Sequence, residues 1–179
     1  SWGGMVATRA AEMYPNSWDG VLLTSGTVTG PTGYDLRLDL RAIYQYLCNN
    51  HPRPTEPSYS LAIGLPVDSK LTRADLAQRV NECLGTGTPV AQRSPEQAQK
   101  LKTIVDVLKI PERSVLSYLI WGTFTLQDIV NKNGGTSPFG NAGVKYSGSS
   151  DDAKLNSAIS RFQADPKAVA RFAADVDYV

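Results

Sequence analysis

The 179 residues carry 18 Lys and Arg against 17 Asp and Glu, a formal net charge of +1, with 41% apolar and 20% charged residues. That balance supplies no long-range field for nucleic acid or an anionic membrane. No run approaches the roughly 20 apolar residues of a membrane-spanning helix, and the length suits one full core.

Residues 2–14 read as a helix, with Met5, Val6, Arg9, Ala10 and Met13 on one face. The Arg9 stem lies along that face while its guanidinium reaches water. Pro15 ends the helix. Beyond Asp19-Gly20, the β-prone run Val21-Leu22-Leu23-Thr24-Ser25 is bounded by Gly20 and Gly26 and reads as a buried strand. Residues 27–33 read as loop.

Residues 35–48 follow with helical spacing of Leu36, Leu40, Ile43, Tyr44 and Leu47. The stretch 51–66 is interrupted by Pro52, Pro54, Pro57 and Pro66, so it cannot be regular throughout. Thr72, with Asp75 three residues on, predicts a helix to about Cys83, closed by a turn at Gly85, Gly87 and Pro89. Ser94-Pro95-Glu96-Gln97 is a capping box with proline at the first helical position, and it leads into a helix with Leu101, Ile104, Val105 and Leu108 on its apolar face. A more apolar helix is predicted over 115–130, loop over 133–149, and helices over 151–163 and 166–174, the last capped by Asp165.

The chain has two cysteines, Cys48 and Cys83, and no C-x-x-C pair. They are either two buried free thiols or one disulfide across the Pro-rich stretch. A bond would stabilise by roughly 3–4 kcal/mol through loop closure and would point to an oxidising compartment.

A single strand cannot form a parallel sheet, so the strand at 20–25 implies neighbours from other polypeptide. The opening Ser1-Trp2-Gly3-Gly4, the small residues Ala7 and Ala11, Tyr14-Pro15 and the run from Asp19 to Ser25 resemble the α/β-hydrolase fold enzymes. The likeness is to secreted esterases and to proline- or tripeptide-releasing peptidases of that fold. In them a serine at a strand-to-helix elbow precedes a glycine-rich helix, a Tyr-Pro and the next strand. The resemblance implies an α/β fold, with residues 1–33 as part of the sheet core, 34–175 as a mainly helical cap and 176–179 as the return toward the core.

By the same resemblance, Ser1 is the nucleophile and the Trp2 N–H an oxyanion donor. The reaction is cleavage of an ester or peptide bond through an acyl-enzyme. The acid and then the histidine come after the cap, from polypeptide beyond Val179. The missing N- and C-terminal segments of the same hydrolase are the expected partners, with an ester or peptide substrate, and the chain alone is expected to be inactive. No cofactor and no metal are implied, and the setting is secreted or periplasmic. The one histidine, His51, sits among prolines within the cap and breaks the usual order of acid before base.

Two other readings compete. A leading serine can use its own α-amine, of ordinary pKa about 7.8, as base in an N-terminal nucleophile amidohydrolase; such nucleophiles start a strand, whereas Trp2-Gly3-Gly4 enters a helix pattern. Alternatively, the chain is a non-catalytic helical binding module.

Smaller signals have bland and functional readings side by side. Asp35 and Asp39 share a helical face, either as a solvated first turn or as a substrate-facing rim. Tyr34, Tyr44 and Tyr46 either pack or line a pocket. Trp121, Phe124 and Leu126 either fill the cap core or line a cleft. Gly134-Gly135 lacks the ending of a phosphate loop, Asp151-Asp152 lacks calcium-loop spacing, and no His/Cys cluster suits zinc.

Overall fold

In a computed structural model, the structure describes residues 2–23, 32–48, 69–132, 134, 141 and 143–159. Its helices are α1 (Trp2–Met13), α2 (Thr32–Cys48), α3 (Arg73–Leu84), α4 (Pro95–Leu108), α5 (Val115–Lys132) and α6 (Asp152–Ile159), with 3-10 turns at Pro15–Ser17, Val90–Gln92 and Glu112–Ser114. The chain divides into two compact units, Ser1–Gly33 and Tyr34–Val179.

Among the described residues there is no strand. The expectation of an α/β-hydrolase sheet fragment is therefore overturned, and the family resemblance falls with it. The decisive stretch is 20–23. Gly20 to Leu23 form no regular element, and Leu22 is 88% exposed where a buried strand was expected. Val, Leu and Thr favour a pleated, half-buried surface, but a strand exists only through its ladder of partners. Thr24 and Ser25, the stretch 51–66, Asp165 and the helix expected at 166–174 lie outside the described residues.

In the first unit, α1 ends at Met13 and the chain turns through Pro15–Ser17, with the Tyr14 N–H donating to the Ala10 carbonyl at 2.9 Å. None of residues 3–23 is buried.

The second unit holds the core. Leu40 and Ile43 of α2, Leu76, Val80 and Leu84 of α3, Leu101 and Ile104 of α4, Val115 and Leu119 of α5, and Leu155 and Ile159 of α6 form one buried cluster. Within each helix these residues recur three or four apart, which is the spacing that puts them on one face. Burying such a side chain contributes about 1.5–3 kcal/mol.

The capping box at Ser94 forms as expected, and the Thr72 cap forms one too with Asp75. The Asp75 N–H donates to Thr72 Oγ1 and the Thr72 N–H to Asp75 Oδ2, each at 3.1 Å. The Gln97 N–H donates to Ser94 Oγ at 3.1 Å, and the Ser94 N–H to Gln97 Oε1 at 3.0 Å. Gly85 closes α3 at φ 66, a left-handed conformation that costs glycine little. α2 begins at Thr32, within the segment expected to be loop.

Cys48 and Cys83 are bonded, with Cα atoms 6.0 Å apart. The open choice between thiols and a disulfide is settled: the end of α2 is stapled to the last turn of α3. Arg93 makes a second tie. Its Nε donates to the Gly85 carbonyl at 2.8 Å and the Thr88 carbonyl at 3.1 Å, and its Nη2 pairs with Glu112 at 2.7 Å. Where α2 crosses α5, Arg41 is fully buried and its Nη1 donates to the Gly122 carbonyl at 3.2 Å.

Candidate functional surfaces

Ser1, the expected nucleophile, lies outside the described residues, as does His51. Trp2 is the first residue of α1. The residues after Ser1 form α1 rather than a strand, which the N-terminal nucleophile reading would need, and no sheet is present among the described residues. The serine-hydrolase function, the enzyme reading and the esterase and peptidase labels are corrected accordingly; of those labels the disulfide stands. Among the described residues no three His, Cys, Asp or Glu side chains are grouped to hold a metal ion, and no helix is long and apolar enough to cross a membrane.

The second unit contains a polar network that the sequence reading missed. The Tyr146 hydroxyl donates to Asp39 Oδ1 at 2.5 Å and accepts from Asn141 Nδ2 at 2.8 Å. Asn156 of α6 fixes the Tyr146 backbone from both sides: its Oδ1 accepts from the Tyr146 N–H at 2.8 Å, and its Nδ2 donates to the Tyr146 carbonyl at 2.7 Å. Burial pushes the Asp39 carboxyl above the ordinary carboxylate range; the Tyr146 bond pulls it back down, and the Asp35 charge adds to the rise. Asp35 is raised by burial alone. Tyr146 is raised strongly, first by burial and then by donating to Asp39. Asp39 thus belongs neither to a solvated first turn nor to a demonstrated substrate rim; it anchors a tyrosine 107 residues away.

The aromatic residues of α5 serve as platforms for arginines. The Arg37 guanidinium lies 4.2 Å from the Trp121 ring centroid and 5.0 Å from that of Tyr118, and Arg73 lies 5.2 Å from that of Phe124. Each such pair is worth about 0.5–2 kcal/mol. Phe124 also packs against the core, as does Tyr46, and Tyr44 is within it. The side chains of Tyr34 and Leu126 lie outside the described residues.

Two hollows are of chemical interest. One, about 310 Å³, lies beside the disulfide, with Cys48, Cys83, Glu82, Glu96, Gln97 and Lys100 in its wall. The other, about 200 Å³, belongs to the first unit and is lined by Ala7, Trp18, Gly20, Val21 and Leu22. The first unit also exposes many apolar side chains: Val6 at 64%, Trp18 at 53% and Leu22 at 88%, together with Met5, Met13, Tyr14 and Val21, of which Trp18, Val21 and Leu22 line this hollow. Elsewhere among the described residues only Val90 and Val144 are large apolar side chains exposed in this way.

No protein-family model, curated protein or solved structure matches this chain.

Proposed function

We propose that this chain is a protein-binding module. The first unit docks through its apolar surface onto further polypeptide, and the second unit is the stapled helical body to which it is attached. The observation that carries the reading is the exposure of Met5, Val6, Met13, Tyr14, Trp18 and Leu22 within one short segment. Exposed apolar side chains concentrated in so short a stretch are a feature of interaction sites, and Met, Tyr and Trp are enriched in interface cores.

Charge favours polypeptide over the other apolar partner, a lipid surface. Residues 2–23 contain one basic residue, Arg9, against Glu12 and Asp19. Interfacial membrane helices rely on a Lys/Arg-rich polar face, which α1 lacks. Disulfides persist in oxidising compartments, so the Cys48–Cys83 bond supports a secreted or periplasmic setting.

Oxidative footprinting tests the reading. Met5, Met13 and Trp18 are expected to oxidise readily in the purified chain and to be protected in the protein as its source cells release it. Equal oxidation in both preparations would overturn it.

A further inference from the structure

The hollow beside the disulfide has a chemical consequence of its own. Only two cysteines exist in the sequence, and both line a cavity of about 310 Å³. That is many times the roughly 10–15 Å³ of such space that one water needs, which leaves room for a small dithiol. We propose that the Cys48–Cys83 bond is a thiol–disulfide exchange site, reducible through this hollow in the folded protein.

The wall carries the charges that such a reaction would feel. Lys100 Nζ is held by Glu96 at 2.7 Å, and Glu82 Oε1 accepts from Gln78 Nε2 at 2.8 Å. A dithiol thiolate attacks one sulfur, forming a mixed disulfide and expelling the other sulfur as a thiolate with the bonding electron pair. Lys100 is the one basic side chain in that wall, set against Glu82 and Glu96, and is the group positioned to stabilise the leaving thiolate. The reductant's second thiol then displaces the first cysteine. The dithiol ends as a disulfide and the chain gains two thiols, so two electrons and two protons are balanced. With two cysteines in all, reoxidation has one intramolecular outcome.

The surroundings let the bond open without dismantling the unit. Gln97 Nε2 of α4 donates to the Asn81 and Glu82 carbonyls of α3, at 3.3 Å and 3.0 Å. These bonds and the α3 core residues keep α3 in place, while the end of α2 and the segment leading to α3 lose their covalent staple.

The test uses the full chain in native buffer with dithiothreitol, counting thiols by alkylation and intact mass and following helicity by circular dichroism. Reduction is expected to outpace global unfolding, measured by hydrogen exchange, with helicity retained. Lys100→Met should slow it, because a leaving thiol without that nearby cation has a higher pKa and departs more slowly. Glu96→Gln should speed it, because it leaves the Lys100 charge unopposed. Both positions are on the surface of α4, so neither change should prevent folding. Reduction at the unfolding rate, or rates indifferent to both substitutions, would overturn the proposal and leave the bond a closed structural staple.

Discussion

Tyr146 donates its hydroxyl proton to Asp39 at 2.5 Å, tying the segment before α6 to α2 across 107 residues of sequence. The same hydroxyl accepts from Asn141, which is fully buried. Tyr146→Phe removes the shared oxygen and leaves both the Asp39 carboxylate and the Asn141 amide without that partner. A loss of about 1–3 kcal/mol is expected, read as a lower midpoint in urea unfolding with an unchanged slope. Asp39→Asn keeps an acceptor for Tyr146 and removes a half-buried charge, so it should cost far less than Tyr146→Phe.

The same carboxyl sets a pH dependence. Its folded pKa lies above the unfolded value, mainly through burial, so the folded state binds this proton more tightly. The contribution of Asp39 to stability is then complete below the ordinary carboxylate value of about 4 and is lost as pH rises through the raised folded value. Asp152 runs the other way. The Ser149 hydroxyl and the Gly148 and Ser149 N–H groups donate to its carboxylate and lower its pKa, so its contribution is present above that range and lost as pH falls. Stability of the wild type relative to Asp39→Asn, measured by chemical unfolding across this window, should decline as pH rises. A flat difference would contradict the assignment.

The disulfide spans 35 residues. Loop-closure entropy for a loop of that length is about 4 kcal/mol. The double variant Cys48→Ser, Cys83→Ser should lose roughly that much in equilibrium unfolding, together with the smaller cost of two hydroxyls in the core cluster.

Gly148 has φ +109, and a Cβ there would stand 2.8 Å from the Asp106 carbonyl oxygen. Both the dihedral and the contact oppose any side chain, and the obstacle is backbone, which cannot swing aside. Gly148→Ala should destabilise by more than about 1 kcal/mol. Gly134 is also at positive φ, +67, but nothing lies within 4 Å of its Cβ position. Gly134→Ala should cost less, because φ +67 lies in the left-handed region an L residue can adopt and no atom opposes its Cβ; a smaller drop in thermal midpoint than that of Gly148→Ala checks this.

Helix existence was legible in the sequence because its signals are local. Thr72 with Asp75 and Ser94 with Gln97 satisfy backbone donors within three residues, and the spacing of Leu101 and Ile104 or Leu76 and Val80 identifies a buried face whatever covers it. Those signals by themselves determined α3 and α4, their caps and their core-facing residues. Tertiary structure decided the rest. Val21-Leu22-Leu23 has the composition of a strand, but strand formation depends on a hydrogen-bonding partner, and Leu22 is instead exposed. Ser1-Trp2-Gly3-Gly4 resembles an elbow, yet an elbow requires a sheet that the described residues do not form. The choice between thiols and a bond at Cys48 and Cys83 depended on whether α2 and α3 end within bonding distance, which spacing alone does not encode. The partnership of Asp39 with Tyr146 had no local signal, because a hydrogen bond between residues 107 apart is set by how the helices pack.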